Sequence, residues 1–219
     1  VGETGAHVST DHLRLWLTVR DTVPWEHTRP ATHTLVAPAR DGAADDVRAF
    51  DAARSPERAA GMLAALEHAR SDAAVGAPLE FARVASWQRS VLGTSAVGFR
   101  RGSAFAKGGR ERYGTDLTGL FDACLAETAA PSPALPARAA RAYLDVCFFH
   151  PFSDGNARAA FLVLVFVLAR ESVALDRVGP LRRLPHRADH PEGALALADL
   201  VSVLLEHACR RAAGRPDRP

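Results

Sequence analysis

Isoleucine is absent from this sequence, and lysine, asparagine and glutamine occur once each. Ala, Arg, Gly and Pro dominate instead, with 26 Arg against a single Lys. That pattern is the imprint of GC-rich codons, so the abundance of Arg says little about function and the rare residues say more. The lone Asn is Asn156 and the lone Lys is Lys107. Cysteine is scarce as well: Cys124, Cys147 and Cys209 are odd in number, far apart and without a CxxC pair. This excludes a disulfide framework and points to free, core-packed thiols in a reducing cytoplasm. No long hydrophobic run occurs. The longest, Ala159 to Ala169, has eleven residues, where a membrane span needs roughly 20. Val1 to Thr10 lacks the basic-then-apolar pattern of a signal peptide. A cytoplasmic protein with no membrane partner is therefore expected. An excess of charge of one sign is missing too: the net charge of +2 leaves no broad basic surface for nucleic acid.

What is present is a chain of 219 residues, 47% hydrophobic and 24% charged, enough to bury a core as one domain. Most of it reads as helix, about seven helices in all with one hairpin. Asp11 to Arg20 is ambiguous between a strand (Leu13, Leu15, Leu17, Val19) and a helix capped by Thr10. Thr28 to Asp46 reads as loop. Ser55-Pro56-Glu57 is a helix start by capping, fixed φ and helix dipole together. Another helix starts at Pro78 and stops at Gly93. Val97 to Gly114, with Gly108-Gly109, reads as a hairpin or flap. Helices follow over Asp116 to Glu127, from Pro136, from Ala157 to Arg170, and from Glu192 to Ala212.

Chemistry concentrates in His150-Pro-Phe-Ser-Asp-Gly-Asn-Ala-Arg158, between two apolar helices. Asp154-Gly155-Asn156 is turn chemistry before a helix, where successive N–H groups and the helix N-terminus favour an anion. Asn156 can cap the helix or bond a phosphate oxygen. Arg158 can grip the same anion, which its place against the helix dipole otherwise leaves unexplained. Asp154 beside a phosphate calls for a divalent cation, usually Mg²⁺. His150, with an ordinary pKa near 6.5, can take a proton from a hydroxyl. Phe152 pins the loop to the core. The set suits phosphoryl or nucleotidyl transfer.

HPFSDGNAR resembles the signature of the Fic/Doc family, HxFx(D/E)GN(G/K)RxxR, and the likeness covers about residues 55 to 212. It implies an all-α, Fic-type helical bundle with a short β-hairpin flap. It divides the chain into an N-terminal extension that is a candidate regulatory segment (1–54), a catalytic domain (55–212) and a frayed tail (213–219). The implied activity is Mg²⁺-dependent transfer of AMP, or another nucleotide, from ATP as co-substrate to a hydroxyl of a target protein. A small-molecule acceptor is the alternative. His150 would match the general base and Asp154 the Mg²⁺ ligand. Gly155 and Asn156 would match the anion hole and Arg158 the first phosphate-binding Arg, with Ala157 between them in the same cofactor-binding set. The flap, Phe99 to Tyr113, would dock the target as an added strand. Two positions depart: Ala157 replaces Gly or Lys, and Phe161 replaces a second Arg, removing a polyphosphate contact. A Doc-type kinase moving the γ-phosphate, and a non-catalytic binding protein, are the competing readings.

Other candidates weigh less. Thr22 to His27 resembles an inhibitory motif through Glu26, against a loop anchored by Trp25. His186 and His190 have metal-ligand spacing but sit among prolines. Lys107 in the flap contacts nucleotide or target, or is a solvated charge.

Overall fold

The computed structural model describes residues 10–29, 40–106, 110–112, 117–183 and 190–213. Among these the chain is all-α with one two-stranded hairpin, as the sequence predicts. Nine α-helices form: α1 (His12–Thr22), α2 (Gly42–Asp46), α3 (Pro56–Ala74), α4 (Phe81–Leu92), α5 (Thr118–Ala126), α6 (Leu135–Phe149), α7 (Asn156–Ala169), α8 (Gly179–Arg183) and α9 (Pro191–Ala212). The antiparallel strands β1 (Ala104–Ala106) and β2 (Arg110–Arg112) pair Phe105 with Glu111.

The core is built around α6, buried on every face except at Cys147. Ala137, Ala139, Ala140 and Ala142 keep its surface thin, so α7, α9, α1 and α5 approach closely. Its buried charges are all paired: Arg138 with Glu171, Arg141 with Glu127, and Asp145 with Arg20. α7 carries the apolar run and packs on α6 and on α3, which in turn packs on α4.

The ambiguous segment is helix. Asp11, rather than Thr10, caps α1, its Oδ1 accepting from the N–H groups of Leu13 and Arg14, each at 3.0 Å. Leu13, Trp16, Val19 and Arg20 then form one buried stripe. Trp16 Nε1 donates to Asp145 Oδ1 at 3.0 Å and Arg20 Nε to the same oxygen at 2.8 Å. Tertiary burial thus settles what local pattern left open.

Ser55 caps α3 through a 3.0 Å bond from the Arg58 N–H. Gly93 ends α4 with φ of 64°. That helix begins at Phe81 rather than Pro78, where Asp122 accepts the Phe81 N–H. Two short helices escaped sequence reading: α2 inside the expected Thr28–Asp46 loop, and α8. The three cysteines are free thiols. Among the described residues no helix is long and apolar enough to cross a membrane. Lys107, Gly108, Gly109, Tyr113, His186 and the tail beyond 213 lie outside the described residues.

Candidate active site

α6 ends at His150, which takes the left-handed conformation (φ 49°) and donates its N–H to the Val146 carbonyl at 3.0 Å. A non-glycine residue there stores strain of about 1–3 kcal/mol. The imidazole keeps a hydrogen bond to the Cys147 backbone in the last turn of α6 and lines the cavity beside the loop. Phe152 anchors that loop: it is buried and stacks on Phe81 at 5.6 Å, beside Phe99 and Phe121.

Asn156 does not project toward an anion. Its side chain is buried and turned back on the loop, Oδ1 accepting from the Phe152 N–H at 2.9 Å and Nδ2 donating to the Phe152 carbonyl at 2.8 Å. The N-cap position belongs to Gly155 (φ 76°). A side chain on Gly155 would meet Gln88 Nε2 at 2.4 Å. Gln88, fully buried, donates from that same nitrogen to the Asp154 carbonyl at 2.7 Å. The chain's only Asn and only Gln therefore brace one turn. Backbone N–H groups of the first turn of α7, at Asn156 and Ala157, have no carbonyl four residues earlier in the helix to bond.

Arg158 donates through Nη1 to the Val91 carbonyl at 3.0 Å and through Nη2 to Asp154 Oδ2 at 3.2 Å. Asp154 itself is 77% exposed. Burial, together with the charge of Arg58, lowers Arg158 from the usual guanidinium range.

The flap is joined to the loop by residues that sequence reasoning missed. Arg100 donates its N–H to the Pro151 carbonyl at 2.8 Å, and its guanidinium reaches the Phe149 and His150 carbonyls at 3.1 Å each. Arg112 of β2 is buried, its guanidinium 5.5 Å from the Phe148 ring centroid. Burial first, then the charge of Arg112, pushes the His150 imidazole down to about 4.

These groups open on one cavity of about 420 Å³. It is lined by His150 and by Ser153 through Arg158, with Arg58 of α3 and Phe105 of β1 closing it. The structure thus brings His150, Asp154, Gly155, Asn156, Ala157 and Arg158 together, though Asn156 serves the loop rather than the opening. Phe161 faces the core. Glu26 stands apart on a turn at Trp25–His27, 72% exposed, with His27 as its neighbour at 4.0 Å. Trp25 is buried and donates to the Arg20 carbonyl at 3.0 Å. No cluster of three or more His, Cys, Asp or Glu able to hold a metal occurs among the described residues. The signal for Gln88 was its rarity; Arg58, Arg100 and Arg112 were hidden among many arginines.

Residues 115–168 match the Fic/DOC family. Two solved structures are similar across nearly the whole chain. One is Fic-1 (residues 134–508) from C. elegans, with TM-score 0.58, 18% identity, and coverage of 93% of this chain and 71% of that one. The other is a Fic domain containing signaling protein from Bacteroides thetaiotaomicron VPI-5482, with TM-score 0.57, 16% identity, and coverage of 95% and 100%. No curated protein matches.

Proposed function

From a Fic-type helical fold that carries a Fic/DOC family segment at residues 115–168, we propose that this protein transfers AMP from ATP to a hydroxyl of a target protein. The observation that carries the reading is the convergence on one cavity of a neutral imidazole, unpaired helix N–H groups and the Arg158 guanidinium. The hydroxyl oxygen forms a bond to the α-phosphorus and the bond to the β-phosphate oxygen breaks. Pyrophosphate leaves, and His150 accepts the hydroxyl proton. The backbone N–H groups that open α7 and Arg158 hold phosphate oxygens as charge develops. Phe105 on the exposed edge of the hairpin offers a strand to an extended target segment.

The residues fit Mg²⁺. Asp154 is one exposed carboxylate at the rim of an anion cavity. Mg²⁺ is commonly held by one or two carboxylates with substrate phosphates and water completing the octahedron. When bound, the ion neutralises phosphate charge. Asp154 would hold it there, exchanging its present ion pair with Arg158.

The test is label transfer from ATP marked at the α- or the γ-phosphate, with Mg²⁺, against lysate protein, for wild type and His150→Ala. Label from the α-position alone, reduced about 10²–10⁴-fold in the variant, supports the proposal. Label from the γ-position alone makes the protein a kinase instead. Bound nucleotide with no transfer from either position makes it a binding protein. Undiminished transfer by His150→Ala removes the base assignment.

A further inference from the structure

Position 161 of α7 places an aromatic ring where the family resemblance places a second phosphate-binding arginine. What that ring does is visible in the packing. Phe161 lies beneath the guanidinium of Arg182, 5.0 Å from its ring centroid. Arg182, from α8, is buried and donates to Asp46 Oδ2 at 2.8 Å and to Asp51 Oδ2 at 2.5 Å. The other oxygen of Asp51, Oδ1, accepts from Arg58 Nε at 2.8 Å. Asp51 is fully buried, so its direction is fixed, and it fixes the plane of the Arg58 guanidinium in turn.

Arg58 stands in the first turn of α3 and lines the cavity facing α7. A cation in that position opposes the helix dipole. Asp51, its one carboxylate partner among the described residues, is shared with Arg182. The Arg58 Nη groups make no further hydrogen bond among the described residues, and the side chain is one-third exposed. A pre-aimed fork with its outer donors unspent suits phosphate or carboxylate oxygens. Arg158 lines the same cavity, its guanidinium held by the Val91 carbonyl and by the exposed carboxylate of Asp154. Each is partnered by a carboxylate, Asp51 for Arg58 and Asp154 for Arg158, yet the charge of Arg58 still disfavours that of Arg158, and an anion between them would relieve that repulsion.

We propose that Arg58 is the second polyphosphate-recognising arginine of this site, supplied by α3 and aimed by Asp51. It selects a nucleoside triphosphate over a monophosphate by gripping the outer phosphates. The aromatic at 161 is then part of the device: it supports Arg182, which braces Asp51, which directs Arg58. This inference rests on the nucleotide-transfer reading above.

Calorimetric titration of the full chain with Mg–ATP and with AMP tests it, using wild type, Arg58→Ala and Arg58→Lys, with thermal unfolding of each alongside. Arg58→Ala is expected to weaken Mg–ATP binding by about tenfold or more and to leave AMP binding unchanged. Arg58→Lys, which keeps the charge without the fork, is expected to lie between. If Arg58→Ala does not fold, a loss of Mg–ATP over AMP affinity in Arg58→Lys still carries the proposal. Equal losses for ATP and AMP mean that Arg58 only holds Asp51, and overturn it. ATP affinity unchanged in both variants overturns it while leaving the nucleotide reading intact. A wild-type chain that binds neither nucleotide overturns both.

Discussion

Asn156 and Phe152 are joined by two reciprocal hydrogen bonds, amide oxygen to N–H at 2.9 Å and amide N–H to carbonyl at 2.8 Å, closing the loop into a ring. The bonds are buried, so water cannot replace them. Removing the amide with Asn156→Ala strands a buried N–H and a buried carbonyl. Each unsatisfied group costs about 1–3 kcal/mol. The expected result is a lowered unfolding midpoint in denaturant and strongly reduced transfer, while Asn156→Asp, which can replace only the acceptor half, recovers part of the stability. Wild-type stability in Asn156→Ala would show that the ring is not needed.

Gly155 meets two constraints at once. Its φ of 76° is left-handed, and an added Cβ comes within 2.4 Å of Gln88 Nε2. Gly155→Ala therefore pays about 1–2 kcal/mol for the backbone and pushes Gln88 off the Asp154 carbonyl. Chemical denaturation measures the first effect. The second appears as weaker Mg²⁺-dependent nucleotide binding, and Gln88→Ala is expected to reproduce it without the backbone strain.

His150 sets a pH dependence whose direction follows from its surroundings. Burial, reinforced by Arg112, pushes it down to about 4, against an unfolded value near 6.5. Between those values the unfolded chain binds a proton that the folded chain does not. Stability from this group is therefore fully present above about pH 6.5 and declines as pH falls toward 4. The acid limb of transfer due to His150 is expected near 4, not near 6.5. An NMR titration of the imidazole locates the midpoint, and Arg112→Gln should raise it. A wild-type midpoint at the free-imidazole value contradicts the burial.

Arg20 and Asp145 form a buried pair, Nε to Oδ1 at 2.8 Å and Nη2 to Oδ2 at 3.2 Å. Arg20→Ala leaves a carboxylate at 0% exposure with, among the described residues, only the Trp16 indole as donor. Breaking one side of such a pair costs about 3–5 kcal/mol. Thermal unfolding should show a large drop, and the paired change Arg20→Met with Asp145→Leu should recover much of it.

The clustering at the candidate site was legible in the sequence because His150, Asp154, Gly155 and Arg158 fall within nine residues and line one cavity. The role of Asn156 was only half legible: residue type marks a cap or turn former, but which backbone group it bonds depends on how the loop curls. Gln88 reaches Asp154 across 66 residues of chain, and Arg58 meets α7 only because α3 packs on it. No local periodicity encodes such meetings. The same limit applies to α1, where alternating leucines imitate a strand until Asp145 selects the helical face.

That carboxylate also imposes an order of events. Its two side-chain donors, Trp16 and Arg20, are separated from it by 129 and 125 residues. During synthesis α1 leaves the ribosome before α6 exists, and on α6 itself Asp145 has only the nearby charge of Arg141 to offset it until α1 docks. Contacts of such sequence separation raise the entropy cost of reaching the native topology and slow folding. The core of α6 cannot be sealed until α1, made more than a hundred residues before it, returns to close it, so the earlier helix of the pair docks only after the later one exists.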